Sequence, residues 1–357
     1  MKKVFLVSII VLLSFILLAA CAQQTPAPTT APTTAQTTSP KPTQPTTTKP
    51  AEPITFRAVQ FLPVRAPDDM WMKSLSQKVS DKSNGQLIFK LIGGPEAAAP
   101  ADQAKTVQTG ALEMARTLYT YMESLIPNIV NFGYAEYSSL ELRQNGAYDL
   151  FQPMCNKVGL YFLGNAQPQP PQTQLYVFTK KPMAKVEDFA GLRIAVPGAA
   201  PMLIFKALGS NPVMTPLSDT YTVMERGVVE AYLMTAEAAF GFGMAPLTKY
   251  IIDQPYTSCS DGIVINLNTW NKLPQNLKDA AIAGQTENER DFPDIYIAQA
   301  VQPAKDKLKA AGVEFIKLPD AERQKFYQTY QTAVWADAAK LNPEQVEQFK
   351  KLMTKPK

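Results

Sequence analysis

The sequence predicts an α/β fold carried behind an N-terminal export segment. Three observations predict it. Short β-branched runs alternate with runs of helical apolar spacing, Gly or Asn-Gly closes the helical runs, and roughly 300 residues from Ile54 to Lys357 suffice for two domains. With 46% hydrophobic and 18% charged residues, that body has the material for a substantial core.

The chain opens with Lys2 and Lys3, an apolar run from Val4 to Leu18, and small residues before Cys21. Two positive charges hold the N-terminus at the cytoplasmic face while the apolar run enters the bilayer, so residues 1–20 read as a secretory signal. At about 15 residues the run is shorter than the roughly 20 that span a bilayer. Leu18-Ala19-Ala20-Cys21 resembles the lipobox of bacterial lipoproteins. The resemblance implies that Cys21 takes a diacylglycerol, becomes the mature N-terminus and tethers the protein to the outer face of the cell membrane. Residues 21–53 are almost all Thr, Pro, Ala, Gln and Ser, which bury too little apolar surface to order themselves. They read as a disordered linker, about 90 Å long if stretched as polyproline II.

The body follows in βα units. Ile54 to Val59 alternates as a first strand, and Asp68 to Ser83 is a helix with Met70, Trp71, Leu75 and Val79 on its apolar side, stopped by Asn84-Gly85. Gln86 to Ile92 is a strand, Ala101 to Thr109 a helix closed by Gly110, and Ala111 to Thr117 a third strand. The second half repeats this grammar: strands at Gln174 to Phe178 and Leu192 to Val196, a helical turn at Val186 to Phe189, and helices at Pro201 to Leu208 and Asp219 to Glu225. It ends with a strand at Gly262 to Leu267 and long helical segments from Gln275 to about Ala311. Strands alternating with helices place ligand sites beyond the carboxyl ends of the strands.

Composition excludes several function classes. There is no histidine, which removes Ser-His-Asp and Cys-His nucleophile systems and every imidazole metal site. No acid–base pair can be assigned, so the chain is not read as an enzyme, and it is read as using no cofactor and no metal. The formal net charge of +4 falls to +2 once Lys2 and Lys3 leave with the signal, too little for nucleic acid. Cys155 and Cys259 remain, as one disulfide or two buried thiols.

Phe189 to Gly198, Phe205 to Val213 and Gly227 to Glu230 together resemble the central block of the solute-binding subunits of tripartite ATP-independent periplasmic (TRAP) transporters, dicarboxylate-binding type. Gln108 to Ala115, Lys180-Lys181-Pro182 and Asn268 to Pro274 follow the same pattern in order and spacing. The resemblance implies a type II periplasmic-binding architecture, with residues 54–173 plus about 260–299 as domain I and 174–259 plus about 300–357 as domain II. It implies a small solute held in the interdomain cleft and passed to small and large integral permease subunits driven by an ion gradient.

The departures bear on the ligand. The family's usual carboxylate-gripping arginine is replaced by Ala195, with Arg193 two residues earlier on the same strand face. A second family arginine aligns with Gln174, and Glu230 to Thr235 replaces a polar run that helps line the cleft. Three readings stay open. A neutral ligand is oriented by Gln174, Tyr176 and Tyr232; an acidic ligand is held by a displaced Arg116 or Arg193; or the fold serves a sensing or structural lipoprotein. Arg116 has its own alternative, an internal ion pair with Glu113 or Glu136. Gln60 and Tyr119, just beyond strands, complete the candidate set, with packing and solvation as their plainer roles. An ABC-type binding protein of similar fold also stays open.

Overall fold

The computed structural model describes residues 52–355 apart from 66, 128, 167–174, 254–260 and 341–342. The signal, Cys21, most of the linker, Gln174 and Cys259 lie outside the described residues. Cys155 is a buried free thiol.

Among the described residues eleven strands build two sheets: β1 Ile54–Gln60, β2 Leu87–Gly93, β3 Met114–Leu118, β4 Leu160–Asn165, β5 Tyr176–Thr179, β6 Arg193–Val196, β7 Asn211–Met214, β8 Ala231–Met234, β9 Tyr250–Ile252, β10 Asp261–Asn266 and β11 Glu314–Ile316. The first sheet has the order β2-β1-β3-β10-β4 and the second β11-β9-β5-β8-β6-β7. In the first, β10 alone runs against its neighbours; in the second, β5 alone does. Both reversed strands are the first after the chain changes sheet. A chain that leaves one sheet at the carboxyl ends of its strands and enters the next at the corresponding ends must run that first strand backwards. The carboxyl ends of both sheets' parallel strands therefore point to one junction.

Each sheet is covered on both faces. Val59, Ala115 and Val264 join one core and Phe56, Ala58, Met114 and Ile263 the other, as alternation along a strand requires. In the second sheet, Val177, Ile194 and Leu233 face one core and Tyr176, Phe178, Ala195 and Tyr232 the opposite one. The helices Met70–Lys82 and Gln275–Tyr296 share a face of the first sheet. They cross closely at Gly284, where a Cβ would sit 2.7 Å from Val79 Cγ2.

Two helical runs bridge the lobes. Gln275–Tyr296 continues through a π-helical stretch, Ile297–Val301, into Gln302–Ala310, carrying the chain from Phe292 in the first lobe's core to Leu308 in the second's. Asp320–Ala338 returns, with Phe326 and Tyr330 in the second lobe and Trp335 in the first. The final helix, Pro343–Met353, buries Val346, Phe349 and Met353 in the first lobe's core. The sequence-based division assigns that segment to domain II; its apolar stripe packs on domain I instead.

Candidate functional site

The strand directions make the junction chemically rich. Gln60 ends β1, Arg116 lies opposite it on β3, and Asp261 opens the reversed β10. All three are at the junction end of the first sheet and are 0%, 3% and 0% exposed. Arg116 Nε donates to Asp261 Oδ2 at 2.5 Å, and Nη1 to the Asp68 carbonyl at 3.0 Å. Burial pushes the Asp261 carboxyl upward and the Arg116 charge pulls it back. Gln60 Nε2 donates to the Pro63 carbonyl at 2.9 Å. Gln60 Oε1 and Asp261 Oδ1 are buried without a hydrogen-bond partner among the described residues.

Beside these groups a cavity of about 500 Å³ opens between the loop after β1, the helix Ala236–Gly241 and the π-helical bridge. Asp68, Met70, Glu237, Phe240, Gln299 and Lys307 are among its walls. Pro303, without an N–H, cannot continue the helical ladder behind Gln299. Single-turn π geometry of this kind recurs at functional sites. Glu237 is 6% exposed, and its Oε1 accepts from Tyr296 OH at 3.0 Å, a hydrogen bond between the two lobes. Burial raises the Glu237 carboxyl above its ordinary value; burial also raises Asp68, against the opposing pull of Arg65. Lys305 Nζ lies 4.6 Å from the Tyr176 ring centroid and 3.3 Å from Asp253 Oδ1.

A second polar network supports the junction from within the first lobe. Tyr119 OH donates to Asn165 Oδ1 at the end of β4. Gln285 Nε2 donates to the Asn165 carbonyl at 2.5 Å and to Glu289 Oε1 at 3.0 Å. Arg143 and Tyr148 converge on the same Glu289 carboxylate. Gly164, at φ +153°, makes room for them, since a Cβ there would lie 2.2 Å from Glu289 Oε1. Across the junction, a Cβ on Gly198 would lie 2.3 Å from Thr120 Oγ1, so the lobes also approach closely at the end of β6.

The structure gathers Gln60 and Arg116 at this junction, with Tyr176 opening β5 on the cavity side. Tyr119 is there too, but wholly buried within the first lobe. Arg193 opens β6 at the opposite end, where Nη1 donates to the carbonyls of Gly227 and Val228, both at 3.0 Å. Three residues of strand, about 10 Å, separate it from the junction end. Tyr232 lies mid-strand in the core, stacked on Phe178 at 4.7 Å and bonded to Thr248 Oγ1 at 2.7 Å. Arg116 does form an internal ion pair, but with Asp261. Glu113 pairs with Arg57, and Glu136 holds Tyr327 and the Lys355 amide. Sequence reasoning missed Asp68, Glu237, Asp261 and Tyr296. Asp68 reads as a helix start, Glu237 falls where the sequence analysis assigns no element, and only the sheet order brings Asp261 to Arg116.

Known proteins share this fold. Residues 60–341 match the family described as bacterial extracellular solute-binding protein, family 7. The solved structure of a TRAP periplasmic solute-binding protein from Desulfovibrio salexigens with bound orotic acid superposes with a TM-score of 0.73 at 17% identity. It covers 84% of this chain and 98% of that one, a likeness of fold. An uncharacterised protein of Haemophilus influenzae is 31% identical over 104 residues, 28% of this chain and 30% of its own length. A monocarboxylate 2-oxoacid-binding periplasmic protein of Nostoc is 22% identical over 216 residues, 58% of each chain. The chain thus spans under two thirds of either relative's length.

Proposed function

We propose, because the chain belongs to the bacterial extracellular solute-binding proteins of family 7 and is a TRAP solute-binding subunit, that it captures a small solute at the junction of its two lobes and hands it to a membrane permease driven by an ion gradient. TRAP solute-binding proteins act outside the cytoplasm with permease subunits, and they are binding proteins rather than enzymes. We further propose that Cys21 carries a lipid anchor and that the Thr/Pro-rich linker spaces the body from the membrane. Among the described residues no helix is long and apolar enough to cross a membrane.

One observation carries the reading. The reversed strands β5 and β10 turn the carboxyl ends of both sheets to a shared junction, and a cavity of about 500 Å³ lies there between groups from both lobes. A solute that touches both lobes favours their closed arrangement by the difference in its affinity for closed and open forms.

Relatives bind orotic acid or 2-oxoacids, which are carboxylates. The sequence resemblance puts Ala195 at the family's usual arginine position, and Ala195 is buried in the core. The nearby cations Arg116 and Lys305 already face Asp261 and Asp253. This supports a solute that is not held by a central arginine clamp. Thermal melting of the full chain in detergent, against a panel of small metabolites including orotate and pyruvate, tests the function. A true solute at about a thousand times its Kd stabilises the fold by about 4 kcal/mol. Silence across a broad panel contradicts a solute-binding role.

A further inference from the structure

We infer that the cavity takes a zwitterion, an amino-acid-like solute whose ammonium meets Glu237 and whose carboxylate meets Lys307. The inference rests on the solute-binding reading above and names the ligand's chemistry. It comes from matching the charges around the cavity. Arg65 faces Asp68 at 3.4 Å, Arg116 faces Asp261 at 2.5 Å, and Lys305 faces Asp253 at 3.3 Å. Two wall groups have no opposite charge in any described ion pair. Among the described residues Glu237 is held by the neutral partners Tyr296 and Thr235, and it is buried at the inner wall. Lys307 is exposed at the rim, its ammonium 4.9 Å from the Phe240 ring centroid.

A buried carboxyl without a cation is costly once ionised, and an incoming ammonium relieves that cost directly. Among the described residues a lone carboxylate finds no unpaired cation at the inner wall and only Lys307 at the mouth. Met70, Phe240 and Phe242 give the remaining wall an apolar surface for the solute's side chain.

The test uses molecules that share one skeleton and differ only in charge: L-phenylalanine, phenethylamine and 3-phenylpropanoate, with L-leucine, isopentylamine and 4-methylpentanoate beside them. Orotate and pyruvate run in the same assay, calorimetric titration of the full chain in detergent. The amino acids are expected to bind tightest, with loss of either charged group weakening binding by about tenfold or more. Glu237→Gln should erase the advantage of amino acid over acid. Lys307→Ala, a change at the exposed rim, should erase the advantage of amino acid over amine. Acids binding as tightly as amino acids, or variants that leave both ratios unchanged, overturn the inference. Binding of orotate or pyruvate with every amino acid silent overturns it while sparing the solute-binding function; silence from all probes counts against both.

Discussion

Arg116 lies three residues into β3 and is 3% exposed, whereas Arg193 opens β6 with 47% of its side chain exposed. Both sit on parallel strands flanked by helices, yet one is locked to Asp261 at the junction and the other spans surface carbonyls at the far end. The direction of the strand makes the difference. In a sheet whose carboxyl ends form the site, the first residue of a strand is as far from that site as the strand allows. The contrast extends to the lobes. The first holds the buried pair Arg116–Asp261 and the part-buried Arg143–Glu289 beside exposed pairs such as Arg57–Glu113, whereas Lys181–Glu230, Arg193–Glu230 and Lys305–Asp253 in the second are partly exposed.

Breaking the buried side of this comparison should have the largest effect. Asp261→Ala leaves the Arg116 charge buried and unpaired, and denaturant melts should show a loss of about 3–5 kcal/mol. A loss below about 1 kcal/mol would mean that water reaches the pair and that the junction is wetter than its burial indicates. Gly164→Ala comes next. Its Cβ would collide with the Glu289 carboxylate, so a cost of about 1–3 kcal/mol is expected. An unchanged melting midpoint would show that the network around Glu289 yields easily.

The pH dependence sharpens the same contrast. Burial raises the Glu237 carboxyl in the folded state, so the folded chain binds more protons than the unfolded one as pH rises above the ordinary Glu value of 4.5. Stability contributed at this site is then lost with rising pH. Glu237→Gln removes that loss, so the variant's advantage over the parent should grow from about pH 4.5 upward, read from melts at stepped pH. An advantage that shrinks with pH would reverse the assignment. Arg193→Ala should matter least, at roughly 0–1 kcal/mol, because its partners are solvated. A cost like that of Asp261→Ala would mean that the two ends of the sheets are not chemically distinct.

The fold was legible where local chemistry decides structure. Asn84-Gly85 and Gly110 were expected to stop helices, and all three take positive φ just after helix ends. The alternation in β1 and the apolar side of the helix holding Trp71, Leu75 and Val79 likewise show in sequence what they bury. Several strands were not legible. β7, β9 and β11 are only three or four residues long, and β4 joins its sheet through β10, about a hundred residues away. The site was legible in part, because Gln60 and Arg116 sit near the ends of recognisable strands. Arg116's partner was not, because Asp261 is 145 residues distant and reaches it only through the reversal of β10. Glu237 carries no sequence mark of its place at the junction, where Tyr296 of the bridging helix donates to it.

The central claim is that solute binds where the carboxyl ends of both sheets meet. Hydrogen exchange on the full chain, with and without the first solute that raises its melting temperature, tests this most directly. The account predicts added protection on both sides of the junction, in residues 60–70, 114–120, 235–242 and 296–304, with little change around Arg193 and residues 227–230. Protection confined to one lobe, or centred on the far end of β6, would contradict it.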